Sequence, residues 1–178
     1  MIDLKEPIID TDRLLLRPFQ EGDALFFYIN IASDYRVTKY LLWPPTQNME
    51  EMELMLEQWI KDSQESFSYR FALLEKNSFE VIGMINIVEI DYQTETMEIG
   101  YMLAHRKWNK GYMREGLEAV MNFLFQKVKV KGIKASVFVN NISSLRLLKN
   151  LGFQIVDQDT YDIQGHDEQI YHLFLKAQ

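Results

Sequence analysis

Between Glu98 and Glu115, in a chain of formal net charge −7, the charge reverses locally: His105, Arg106, Lys107, Lys110 and Arg114 occur there and no acidic residue does. The stretch opens with Met97, Ile99, Tyr101 and Leu103 alternating at period two, which predicts a strand. It then crosses a polar segment, passes Gly111 and enters a helical pattern. A strand, a basic glycine-containing loop and a helix start together can hold a phosphate group. The first N–H groups of a helix lack internal acceptors, and its dipole is positive there. The spacing matches neither the P-loop nor the GxGxxG fingerprint, so the residues alone leave the anion open. Glu98 shares a strand face with Gly100 and Met102, opposite Met97, Ile99 and Tyr101. A charged residue in such a strand requires a reason: a salt bridge, an exposed strand end, or a proton to accept.

These residues need a scaffold, and the rest of the pattern supplies one. Thr11 to Phe19 reads as a first strand closed by Pro18, and Asp23 as the cap of a helix through Ala24, Phe27, Tyr28 and Ile31. Ser33-Asp34 restarts a short helical piece toward Tyr40, and Trp43-Pro44-Pro45-Thr46 reads as a loop. Asn48 opens an amphipathic helix to about Gln64, with Met52, Met55, Leu56, Trp59 and Ile60 as its apolar stripe. Phe67–Glu75 and Glu80–Ile90 form a hairpin whose second strand is apolar on both faces, as a central strand is. After the basic loop, Met113, Leu117, Val120, Met121, Leu124 and Val128 mark one helix face, ending near Lys131-Gly132. Ile133 to Val139 alternates as a strand, Asn140-Asn141 turns, and Ser143-Ser144 begins a short helix that Gly152 ends. Phe153–Val156 and Gln169–Lys176 read as the last strands. The expectation is one mixed α/β domain over residues 1–178.

Composition narrows the function. There is no cysteine, hence no disulfide, thiolate metal site or thiol nucleophile. His105, His166 and His172 lack metal spacing, and no metal is expected. The negative charge argues against general nucleic-acid binding. No apolar run approaches the ~20 residues of a membrane helix, and the first residues lack a signal-peptide pattern. A cytoplasmic location is the expectation.

The runs IGYML, RKWNKGYMREGLEAVMNFLF, IKASVFV and NNISSLRLLKNLGF, in that order, resemble the RimJ/RimL branch of the GNAT N-acetyltransferases, as does the opening TDRLLLRPFQEGDA. The resemblance covers almost the whole chain. It implies an α/β (α+β) fold: a mixed, mostly antiparallel central sheet with splayed middle strands and flanking helices. Acetyl-CoA would lodge in the split. Tyr101, Met102 and Leu103 would offer backbone groups to the pantetheine and the acetyl carbonyl, with Leu103 N–H polarising the latter. Asn109, Lys110, Gly111, Tyr112, Met113 and Arg114 would wrap the pyrophosphate. Asn141 would bond the pantetheine arm, and Ser144 would lie near the thioester sulfur. Glu98, directly or through water, would take the proton that an alkylammonium must lose before it can attack.

The chain departs from the pattern at several places. Met113 stands at the usual small residue, so its side chain must point away from the phosphates. Asn109 replaces a frequent glycine, and Asn150 a frequent lysine. Leu148 occupies the place of a tyrosine general acid, which leaves that role to Ser144 or water. From the residues alone, Asn141 could be a turn residue and Ser144 a helix cap. The first two helices, with Tyr40, Trp43 and Trp59, could cover the acceptor cleft. The acceptor stays open between a protein N-terminal α-amine and a small amine such as an antibiotic or polyamine. The rival reading is an acyl-CoA sensor of the same fold without catalysis. A homodimer is compatible, but no self-complementary patch is legible.

Overall fold

The alternating segments assemble into an eight-stranded sheet in the computed structural model, which describes residues 7–41, 46, 48–65, 69–163 and 165–177. The strands are β1 (Ile9–Asp10), β2 (Leu14–Pro18), β3 (Tyr69–Glu75), β4 (Val81–Asp91), β5 (Thr96–Leu103), β6 (Gly132–Phe138), β7 (Gln154–Ile163) and β8 (His166–Lys176). Their spatial order is β1-β2-β3-β4-β5-β6-β8-β7. Every neighbouring pair is antiparallel except β5 and β6, which the chain joins through a crossover helix, as a parallel pair requires.

The two faces of the sheet bury different residues. On one, Met97, Ile99 and Leu103 of β5 join Ile85, Ile133 and Val137. Against them lie α4 (Tyr112–Phe123), continued by a π-turn over Leu124–Val128, and α5 (Ile142–Asn150). The face of α4 read from the sequence, Met113, Leu117, Val120, Met121 and Leu124, is buried there. Each such side chain contributes about 1.5–3 kcal/mol. Gly116 lets this helix lie close, because a Cβ on it would stand 3.2 Å from the Ile85 and Leu73 methyls. On the other face Met84, Met102 and Leu74 pack with α1 (Ala24–Phe27), α2 (Tyr35–Thr38) and α3 (Met49–Glu65). Among the described residues, no helix is long and apolar enough to cross a membrane.

Several expectations change. Asp23 does not cap α1. It is 5% exposed, grips the Arg17 guanidinium through both oxygens at 2.7 Å, and accepts from the Gln20 N–H. An ion pair to the end of β2 has taken the carboxylate that a cap would use, and a 3₁₀ turn (Glu21–Asp23) precedes the helix instead. Trp59 is core rather than cleft, with its ring against Phe19 and Phe27 and the Arg70 guanidinium over it. Trp43 lies outside the described residues. β7 runs to Ile163 instead of stopping at Val156, and β8 begins at His166 instead of Gln169.

Candidate active site

β5 and β6 pair for three residues only, Thr96 with Gly132, Met97 with Ile133 and Glu98 with Lys134. Beyond that point each strand continues without the other, and a gap opens in the middle of the sheet. Ala104 N–H donates to Ile82 C=O at 2.8 Å, so antiparallel alternation turns the backbone groups of Gly100 and Met102 toward β4. Those of Tyr101 and Leu103 face the gap. The Leu103 carbonyl confirms the parity by accepting from the Trp108 indole N–H at 2.7 Å. Met102 therefore lines the gap through neither backbone group, and its side chain is in the core.

The basic segment closes the open end of β5. A 3₁₀ turn (His105–Lys107) leads to Asn109 at φ 58° and Gly111 at φ 82°. Both are left-handed, a conformation glycine and asparagine accept most readily, which accounts for asparagine in the place of a glycine. Gly111 is the N-cap of α4, and its carbonyl accepts from Glu115 N–H at 3.0 Å. The N–H groups of Tyr112, Met113 and Arg114 precede that first intrahelical bond and remain free to hold an anion. The Met113 side chain points into the core, as its length requires.

Most of the cations that mark this loop are already paired. Arg106 bonds to Glu80 and Asn30, Lys107 to Glu75 at 2.6 Å, and Arg114 to Glu118 at 2.8 Å. His105 meets the Trp108 ring edge-on, with centroids 4.8 Å apart. Lys110 is exposed and is the lysine of the loop with no ion pair among the described residues.

The other half of the site comes from α5. Asn141, not Ser143 or Ser144, caps this helix, its side-chain oxygen accepting from Ser144 N–H at 3.3 Å. This frees the Ser144 hydroxyl, which lies 2.7 Å from the Tyr101 phenol and so spans the gap on the α4–α5 side. Burial pushes the Tyr101 phenol up to about 12, opposed by its bond to Ser144, so it stays protonated. On the opposite side Tyr40 spans the same gap. Its hydroxyl donates to Asn140 C=O at 3.0 Å, and its ring rests on Phe138.

Glu98, at the last paired position, is half-buried and opens on a groove of about 360 Å³ on the α1–α3 side. Glu89, Lys134, Ser136, Asp157 and His172 share its lining. His172 Nδ1 is 3.0 Å from Ser136 Oγ, and its Nε2 is 3.1 Å from Asp159. The sequence offered no reason to connect His172 with Glu98, because the link is the β6–β8 pairing of Ser136 with His172. Among the described residues, no three His, Asp or Glu side chains cluster as a metal site.

Free backbone donors along a gap, with a helix N-terminus at its mouth, suit an extended ligand that carries a carbonyl at one end and a diphosphate at the other. The comparisons agree. The family model of the acetyltransferase (GNAT) domain matches residues 13–154. N-acetyltransferase p20 of Bacillus licheniformis is 32% identical over 146 residues, covering 81% of this chain and 80% of that protein. The spermidine N(1)-acetyltransferase of Vibrio cholerae is 24% identical over 143 residues, 80% of either chain. The microcin C7 self-immunity acetyltransferase MccE, solved with acetyl-CoA and AMP, has the same fold, with a TM-score of 0.84 over 93% of either chain at 18% identity. A sheet split at its parallel pair, a left-handed glycine capping the crossover helix, and these relatives lead to one assignment: the chain belongs to the GNAT acetyltransferase family and is an acetyl-CoA-dependent N-acetyltransferase.

Proposed function

We propose that this enzyme acetylates a primary amine by direct transfer in a ternary complex, in the manner the RimJ/RimL resemblance implies. The observation that carries the reading is the arrangement around the gap. Glu98 opens on the α1–α3 side, while Ser144 and Tyr101 meet on the α4–α5 side. An amine arriving from the first side has a carboxylate at its nitrogen, and a hydroxyl lies on the far side, where the leaving sulfur departs.

Acetyl-CoA supplies a thioester carbonyl open to attack and a thiolate that leaves. The chain supplies the rest. Glu98 takes the ammonium proton, directly or through water, which frees the nitrogen lone pair to displace sulfur from the acetyl carbon. The Leu103 N–H stabilises the negative charge that develops on the carbonyl oxygen, and the Tyr101 N–H, two residues back along the strand, is left for the pantetheine. The Ser144 hydroxyl, held by Tyr101, hydrogen-bonds to the departing sulfur. The N–H groups of Tyr112, Met113 and Arg114 hold the diphosphate, with Asn109, Lys110 and Gly111 shaping the turn around it, and Asn141 bonds the pantetheine arm.

The acceptor is a protein N-terminal α-amine or a small amine. Glu89, Glu98 and Asp157 in the groove favour one with a second positive charge, and the spermidine-acetylating relative supports a polyamine. Thiol release from acetyl-CoA, assayed in parallel against polyamines, aminoglycosides and N-terminal peptides, tests the reading. Glu98→Gln should lower kcat by about 10²–10⁴-fold on the accepted amine and leave acetyl-CoA binding unchanged. Wild-type turnover by that variant would remove Glu98 from the mechanism. Stoichiometric acetyl-CoA binding without thiol release on any amine would favour a sensor.

A further inference from the structure

Glu75, at the end of β3, is 8% exposed, and the chemistry proposed for the gap does not use it. Its carboxylate reaches across to the phosphate loop. Both oxygens accept from Lys107 Nζ at 2.6 Å, Oε1 accepts from the Tyr112 hydroxyl at 2.5 Å, and Oε2 from Ser78 Oγ at 2.9 Å. Lys107 and Tyr112 bracket the turn, one in the 3₁₀ segment before Gly111 and the other in the first residue of α4. A second tie comes from β2. The Arg13 guanidinium donates to Lys110 C=O at 2.8 Å, pairs with Glu115 at 2.6 Å and lies over the Tyr112 ring, 4.3 Å from its centre. The Lys107 ammonium is itself nearly buried.

We propose that Glu75 is a positioning residue for the donor diphosphate: by tying Lys107 and Tyr112 to β3 it fixes the N–H groups of Tyr112, Met113 and Arg114 in their anion-binding geometry. This rests on the reading of that loop as the diphosphate site. Two physical consequences support it. A loop held in its bound shape loses less conformational freedom when the ligand arrives, which raises affinity. A carboxylate chelating Lys107 also turns that cation away from the ligand, so binding comes from backbone donors and Lys110 rather than from every charge in the segment. The two bonds to Lys107 and Tyr112 hold the Glu75 carboxyl down to about 2, so the tie is intact throughout the neutral range.

The test compares acetyl-CoA with a donor that lacks its 3′-phospho-ADP portion, the diphosphate included, and needs no knowledge of the acceptor. Dissociation constants of acetyl-CoA and S-acetylpantetheine are measured for the wild type, Glu75→Gln and Tyr112→Phe, by calorimetry or, for the weaker ligand, by NMR titration. The wild type should bind acetyl-CoA far more tightly. In Glu75→Gln the acetyl-CoA constant should rise about tenfold or more while that of S-acetylpantetheine stays within twofold. Tyr112→Phe, which deletes one hydroxyl and keeps the ring against Arg13, should shift the same ratio by a smaller factor. It serves alone if the glutamine variant fails to fold. A ratio unchanged in both variants, or equal losses for both donors, overturns the proposal and leaves the loop reading standing. A wild type that does not distinguish the donors overturns both.

Discussion

Gly111→Val tests the loop most directly, and its cost follows from the backbone. Gly111 sits at φ 82°, where an L-residue pays roughly 1–2 kcal/mol, with a β-branched one at the upper end. A Cβ there would also stand 3.2 Å from the Arg13 Nη2, so Arg13 must shift. The bond from its Nη1 to Lys110 C=O is worth about 0.5–1.5 kcal/mol. Together the terms reach roughly 2.5–3.5 kcal/mol. A loop that relaxes to escape this strain must be driven back into shape by the ligand, so the cost appears in affinity. CoA should bind about 60- to 300-fold more weakly, at 1.4 kcal/mol per decade. Gly111→Asn is the control: its Cβ still displaces Arg13, but asparagine tolerates the left-handed region, so it should lose only about 2- to 12-fold. Calorimetric titration with CoA measures both. Equal affinities for the valine and asparagine variants would refute the argument that left-handed geometry at this residue shapes the anion site.

Two further outcomes follow from contacts around the gap. Ser144→Ala should lower kcat by about tenfold with donor affinity nearly unchanged. Because Tyr101 acts through the same hydroxyl, adding Tyr101→Phe should cost little more; fully additive losses in steady-state kinetics would separate the two residues. Acid stability should report on Glu75, whose carboxyl lies at about 2 in the fold against an ordinary value of 4.5. A depressed folded value means stabilisation that is complete above the unfolded value and is lost as pH falls from about 5 toward 2. It amounts to about 3 kcal/mol. The urea midpoint of the wild type should approach that of Glu75→Gln across this window, and parallel curves would contradict the assignment.

How much of this the sequence discloses depends on where each residue finds its partner. β5, the Gly111 turn and α4 are legible because period-two alternation, a left-handed glycine and a 3.6-residue apolar stripe are local signals. β7 is not: nearly all of Gln154–Ile163 is exposed, so no alternation between core and solvent marks its length. Asp23 resembles a cap until Arg17 claims it. The loop looks like a cluster of free cations until the end of β3 delivers Glu75 and the residue before β4 delivers Glu80. Ser144 reads as a cap because Tyr101, the partner that defines it, lies 43 residues earlier. Long-range polar partners are what a linear reading lacks.

The three-residue seam between β5 and β6 has a mechanical consequence. The strands β1–β5 form one antiparallel sheet and β6, β8 and β7 another, like two boards joined by a short hinge. The side-chain ties Tyr101–Ser144 and Tyr40–Asn140 act as stays above and below. A donor lying in the gap bonds to both boards, and by mass action such a ligand stiffens the joint it occupies. Amide exchange at Tyr101 and Leu103 would register that stiffening as slower hydrogen loss with CoA bound. The weakest line of the sheet is thus the one the substrate completes.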